Sequence, residues 1–157
     1  MPPILATAEV DRSADDVFAF ATDPARFGEW QAGVVSGHLD GGAAEVGGRC
    51  TTVRRIGGAE RASTSELVHL DPPRTWRIRG IDGPIRAAVD VTVEPLGQHR
   101  SRVDIAVDFV GHGLGRLLVP LVVRREARRE MPANLARLKE LLEQRPRGPV
   151  PHRGAGG

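Results

Sequence analysis

Two arginines in the last third of the chain carry the clearest chemical signal. Arg124 and Arg128 lie one turn apart in a closing helix predicted over Leu114–Glu143. If the helical phase runs unbroken, both fall on the apolar side with Leu117 and Leu121, where a buried guanidinium needs an acidic partner. Two prolines in the same helix permit the other interpretation, in which both side chains reach water. The first interpretation predicts a site for an acidic ligand group.

Candidates for proton transfer are few. Glu66 and His69 lie in one predicted strand, and a histidine facing the interior could act as a general base. Residues three apart lie on opposite faces of a regular strand, so at most one of the two faces inward unless the strand contains a bulge. A surface or capping role for His69 is the alternative.

Three of the six aromatic residues, Phe27, Trp30 and Trp76, are candidates for the wall of an apolar site. Phe27 and Trp30 are three apart at the end of a short helical segment, which puts them on one side. Aromatic side chains line most small-molecule pockets, and they also fill most cores. For Trp30 both interpretations stay open, whereas Trp76 is expected in the core or the cavity wall.

Several catalytic arrangements are excluded by the residues present. The five histidines have no metal-ligand spacing, and the chain contains neither a Gly-x-Ser-x-Gly elbow nor a tyrosine. Cys50 is the only cysteine and is expected to be a buried, inert thiol. The glycines at Gly111–Gly115 open a helix that no strand follows, so they complete no dinucleotide-binding unit. We therefore predict no metal and no cofactor.

Composition narrows the class of protein further. A chain of 157 residues with a net charge of +2 is long enough for one domain and has no global field for nucleic acid. The longest apolar run, Leu117–Val123, is too short to span a membrane. A single cysteine and charged first residues favour a cytoplasmic protein without membrane insertion. Composition leaves open whether it is a monomer or a homodimer.

The elements that must position these residues follow a simple order. Ile4–Val10 is a predicted strand, Ser13 caps a helix that ends at Pro24, and Ala25–Trp30 adds one more turn. Six strands in a meander precede the closing helix; we predict them at 34–39, 48–56, 61–70, 75–80, 85–94 and 102–110. The last two alternate, with one apolar face formed by Ile85, Ala87, Val89, Val91, Val93, Val103, Ile105, Val107 and Phe109. The domain is predicted to cover 1–143, followed by a disordered tail at 144–157.

Four segments resemble the START-like, Bet v 1-like (SRPBCC) superfamily, in particular its bacterial polyketide cyclase/dehydrase and lipid-transport group. They read AEVDRSADDVFAFATDPARFGEW, ELVHLDPPRTWRIRG, VTVEPLGQHRSRVDI and NLARLKELLE, and they span nearly the whole predicted domain. The resemblance implies an α+β helix-grip fold: two short helices follow the first strand, and a curved antiparallel sheet wraps around a long C-terminal helix. It also implies a cavity for a small hydrophobic molecule such as a lipid, a polyketide or an aromatic compound.

Three functions are compatible with this interpretation. The first is a binding protein for a small hydrophobic ligand. The second is a polyketide cyclase/dehydrase-type enzyme that uses the same cavity, and the third is a co-chaperone-like interaction with another protein. The side chains expected to contact a ligand are Phe27, Trp30, Trp76, Val89, Val91, Ile105, Val107, Phe109, Leu121, Arg124 and Arg128.

Overall fold

The computed structural model describes residues 2–113 and 115–145, without the side chains of Leu118 and Leu121. Its strands are β1 (Ile4–Val10), β2 (Val34–Leu39), β3 (Arg49–Ile56), β4 (Ala59–Asp71), β5 (Thr75–Asp82), β6 (Ile85–Gly97) and β7 (Arg100–Gly111). All pair antiparallel in one seven-stranded sheet of order β1-β7-β6-β5-β4-β3-β2. The first and last strands of the chain are therefore neighbours.

Helical segments occur after β1 and after β7. The first group is α1 (Ala14–Ala21), a 3-10 turn (Pro24–Arg26) and α2 (Phe27–Trp30). The second group is α3 (Gly115–Leu118), a π-helical turn (Val119–Val123) and α4 (Arg124–Gln144). Because α4 packs along β1 and against α2 on the covered side of the sheet, this is the predicted α+β helix-grip fold.

The caps after β1 explain how α2 is placed. The Ser13 hydroxyl accepts a hydrogen bond from the Asp16 amide at 3.2 Å, as the capping pattern predicts. Asp23 then caps the 3-10 turn by accepting from the Ala25 amide at 3.0 Å, with Pro24 at the first helical position. Two capped turns in succession direct α2 inward, so that Phe27 and Trp30 are both buried.

The alternation in β6 and β7 gives the sheet one covered face and one wet face. Val91, Val93, Val103 and Ile105 are buried in the main core. From α4, the core receives the side chains of Met131, Leu135, Leu138 and Leu142. The hydrophobic pattern therefore predicted correctly which face of these strands meets the helix.

Some predicted boundaries need correction. The turn expected at residues 95–97 lies at Gln98-His99, because β6 continues to Gly97 with an irregular register next to Pro95. The closing helix runs one residue further than expected, to Gln144. Of the predicted tail, only Gln144 and Arg145 belong to the described residues; 146–157 lie outside them.

Of the two interpretations of the closing helix, the one with an unbroken helical phase is wrong. The π-helical turn at Val119–Val123 adds a residue to one turn, so α4 does not continue the phase of α3. Leu117, which the unbroken phase put on the apolar stripe, is 65% exposed. Pro120 lies within the π-helical turn, where a helix tolerates a missing amide donor.

Candidate functional site

The covered face of the sheet, α2 and α4 border a partly open cavity of about 120 Å³. Its lining comes from α1, α2, the five strands β3 to β7, and the first half of α4. The meeting of sheet, short helix and long helix therefore leaves space that the core does not fill.

Aromatic side chains form one wall of the cavity. Phe27 packs edge-to-face against Trp30, with ring centroids 6.1 Å apart, and against Trp76 at 6.3 Å. All three residues line the cavity. Trp30 is only 5% exposed, and its buried indole Nε1 has no hydrogen-bond partner among the described residues.

The floor of the cavity is apolar and comes from β5, β6 and β7. The residues expected on the covered face of the last two strands, Val89, Val91, Ile105, Val107 and Phe109, all lie in the lining. Such a floor offers no hydrogen bonds from its side chains, so it favours apolar atoms of a ligand.

The cavity also has a polar side, which the residue patterns did not reveal. Arg54 on β3 and Arg61 on β4 both line the cavity and pair directly across the two strands. Glu126 and Glu130 line it from α4. The charged groups thus gather where the β3–β4 hairpin meets the start of α4.

Arg54 is held in place without a direct carboxylate partner. Its Nη2 donates a hydrogen bond to Gln31 Oε1 at 3.0 Å. Burial lowers the pKa of Arg54, and the negative charge of Glu130 counteracts part of this effect. A guanidinium stays protonated at neutral pH in proteins, so Arg54 brings a positive charge into the cavity wall.

Arg61 is less well partnered. Its Nε is buried and donates to no acceptor among the described residues. Neither Arg54 nor Arg61 forms an ion pair within the described part of the chain, whereas Arg55, also in the lining, reaches Glu60 at 3.3 Å. The two paired arginines therefore line the cavity without a direct ion pair, with Glu126 and Glu130 as the acidic groups of the same wall.

Arg124 and Arg128 do not line the cavity, and the expectation that they share one side of the helix is wrong. Arg124 is 4% exposed; it donates to Asp108 Oδ1 at 2.7 Å and to the carbonyl oxygen of Pro2 at 2.5 Å. Arg128 is exposed, because the buried stripe of α4 continues at Ala127 instead. Arg124 therefore joins β7, α4 and the start of the chain. The side chain of Leu121 lies outside the described part of the structure.

Glu66 and His69 both lie away from the cavity lining. The register between β4 and β5 shifts between Leu67 and His69, so this strand has the bulge that would allow both residues to share a face. The bulge turns both to the outer side: His69 is exposed, and its Nε2 lies 2.7 Å from Thr75 Oγ1. Neither is positioned to transfer a proton to a molecule in the cavity.

The remaining candidate groups offer no reaction centre. Cys50 is buried, and burial together with the charge of Asp40 raises the pKa of its thiol. The described residues contain no cluster of His, Cys, Asp or Glu side chains that could hold a metal ion. Within the same residues, no helix has the length and hydropathy needed to cross a membrane.

One sequence signal could have located the polar side. Gly57 and Gly58 both have positive φ and form a two-residue hairpin loop. Such a loop pairs Ile56 with Ala59 and so fixes every later pair, including Arg54 with Arg61. Adjacent glycines between two strands are typical of such a loop, and counting outward from them pairs Arg54 with Arg61.

Solved structures share this fold at low sequence identity. The protein TTHA0849 from Thermus thermophilus matches with a TM-score of 0.71 and 20% identity, covering 90% of this chain and 97% of that one. The Zhui aromatase/cyclase from Streptomyces sp. R1128 gives 0.72 and 18%, covering 94% and 98%. The di-domain aromatase/cyclase BexL gives 0.67 and 19%, covering 91% of this chain but 47% of that one. At such identities the likeness establishes the fold alone.

The match to a family model identifies the family of the chain, which the structural likeness alone does not. No curated protein matches the sequence. The model described as "Polyketide cyclase / dehydrase and lipid transport" matches residues 1–143, which is nearly all of the chain that the structure describes. The helix-grip sheet, the cavity beneath α4 and this match agree, and the chain belongs to the polyketide cyclase/dehydrase and lipid-transport family.

Proposed function

We propose that this protein binds a small hydrophobic molecule in the cavity between the sheet and α4. The observation that carries the proposal is the unfilled space of about 120 Å³ beside an apolar floor and an aromatic wall. An engineered apolar cavity of about 150 Å³ in another protein is large enough to take up benzene. The family and its aromatase/cyclase relatives support the same class of ligand.

The lining indicates how the ligand lies. Its apolar body contacts Val89, Val107 and Phe109 on the floor and the rings of Trp30 and Trp76 on the wall. Its polar end faces the β3–β4 hairpin, where the charged side chains are. Arg124 and Arg128, which were expected to take part, lie outside the lining and have no role in this arrangement.

Titration with N-phenyl-1-naphthylamine, an uncharged dye that fluoresces in apolar surroundings, tests the proposal. Val89→Phe places a ring in the cavity from the floor and should weaken dye binding at least tenfold. Thr92→Phe, on the outer face of the same strand, is the matched control and should leave binding unchanged. Equal dye affinity in both variants would exclude the cavity as the binding site.

A cyclase/dehydrase-type reaction is the second candidate function. Glu126 and Glu130 line the cavity, so a carboxylate can exchange a proton with a bound molecule there. Glu130→Gln and Glu126→Gln should then abolish cyclisation of a poly-β-ketone substrate while leaving dye binding intact. A protein that binds such a substrate and returns it unchanged acts as a carrier only.

A further inference from the structure

We propose that the ligand of this cavity carries a carboxylate, which binds between Arg54 and Arg61. The proposal rests on the proposed function, because it specifies which class of small hydrophobic molecule the cavity accepts. That class is a carboxylic acid with a compact apolar body.

The first argument is the register of the β3–β4 hairpin. Arg54 and Arg61 are direct cross-strand partners, and both side chains line the cavity. The Cβ atoms of directly opposed residues lie roughly 5 Å apart, and like charges in such pairs destabilise a sheet. Without an anion between them, the two guanidinium groups repel each other in a partly desolvated wall.

The second argument is the supply of hydrogen-bond donors that the protein leaves unused. Arg54 gives one bond to the side-chain oxygen of Gln31. Arg61 Nε and Trp30 Nε1 are buried with no acceptor among the described residues. A buried donor without an acceptor costs about 1–3 kcal/mol. Because these two nitrogens are fully buried, a ligand in the cavity meets the arginines through their other N–H groups.

The third argument is the shape of the acceptor required. A guanidinium presents a planar fork of N–H donors that matches the two oxygens of a carboxylate. Glu130, the carboxylate of α4 whose charge acts on Arg54, forms no ion pair with either arginine in the described structure. The position between the two arginines is therefore not taken by an acidic side chain of this part of the chain.

The fourth argument is the apolar floor, which requires that the ligand also has an apolar body. A free inorganic anion would use the arginines but none of the surface of Val89, Val107 and Phe109. A neutral hydrocarbon would use the floor and leave the two like charges facing each other. An amphipathic acid uses both sides of the cavity.

A pair of isosteric probes tests the inference by isothermal titration calorimetry. 2-Naphthoate and 2-naphthamide share one ring system and differ in charge. The wild type should bind the naphthoate at least tenfold more tightly than the naphthamide. In Arg61→Gln and in Arg54→Gln this ratio should fall close to one, with naphthamide affinity retained.

Two controls keep the result interpretable. Arg77→Gln removes an arginine that forms an exposed ion pair with Asp90, and it should keep the wild-type ratio. The melting temperature of ligand-free Arg61→Gln should equal or exceed that of the wild type, since a like-charge contact is removed; this verifies that the variant folds.

The outcomes separate the two levels of the proposal. Naphthamide binding as tightly as naphthoate in the wild type, or a ratio unaffected by both substitutions, would overturn the carboxylate site and leave the hydrophobic cavity in place. Binding of neither probe would overturn the proposed function as well.

Discussion

Filling the cavity from the helix side should make the protein more stable and unable to bind its ligand. Ala127 lies in the lining and packs against the core from α4. Leucine and alanine have similar helix propensities, so Ala127→Leu reports mainly on the space beneath the helix. The matched control is Ala133→Leu, which changes an exposed position of the same helix.

The size of the effect follows from the cavity volume. At roughly 24 cal/mol per Å³, a void of about 120 Å³ costs about 3 kcal/mol. Leucine adds three carbon atoms at about 0.8 kcal/mol each, which gives a ceiling of about 2.4 kcal/mol before the entropy of fixing the side chain is subtracted. We expect the free energy of unfolding to rise by about 1–2 kcal/mol and the melting temperature by about 2–8 °C.

Urea unfolding followed by tryptophan fluorescence measures the stability, and dye titration measures the ligand site. Ala127→Leu should lose dye affinity at least tenfold as stability rises, because both effects come from the same filled space. Ala133→Leu should change the free energy of unfolding by less than about 0.5 kcal/mol and leave the dye affinity unaltered. A loss of more than about 1 kcal/mol in Ala127→Leu with unchanged dye affinity would refute the existence of usable space at this position.

Three further predictions concern the scaffold. Arg124 holds the pKa of Asp108 below its usual range, so this pair stabilises the fold above pH of about 4 and the contribution disappears as the pH falls through the lower folded-state pKa. Because Asp108 is 46% exposed, Asp108→Asn should cost only about 1–2 kcal/mol at pH 7, and its urea midpoint should depend less on acid than that of the wild type. Leu138 is fully buried, and Leu138→Ala should lower the free energy of unfolding by about 2–5 kcal/mol in urea; a smaller loss would contradict its central place in the core. A Cβ at Gly37 would lie 2.5 Å from a carbonyl oxygen of the 3-10 turn, so Gly37→Ala should lower the melting temperature while Gly97→Ala, with open space around it, should not.

The fold was predictable because its signals are local and agree with one another. The Ser13 cap, the stop at Pro24 and the alternation in β6 and β7 each arise from a few neighbouring residues. Each of them also fits the same arrangement of sheet and helices. Consequently the apolar and aromatic lining of the cavity could be named from the sequence.

The charged part of the site could not be predicted in the same way. The prolines indicated that the helical phase could break, but they did not give the length of the π-helical turn, so they could not tell which side of α4 Arg124 occupies. The β4 bulge between Leu67 and His69 could not be predicted either, since it depends on how β4 pairs with β5. Glu126 and Glu130 alternate with the arginines of α4, a pattern typical of a solvated helix face, and only the folded structure shows that they border a cavity.

The β3–β4 hairpin loop sets the strand register, and the register determines which side chains meet in the cavity wall. In the β3–β4 ladder every pair follows from the two-residue loop at Gly57-Gly58, and Arg54 meets Arg61 only in that register. A slip of β4 by one residue turns each of its side chains to the opposite face of the sheet. Arg61 would then point to water, Arg54 would pair with Glu60 or Ala62, and the wall would lose its paired charge. The acid preference that we propose would thus be a property of the strand register, and the turn residues that set this register are as important to it as the two arginines.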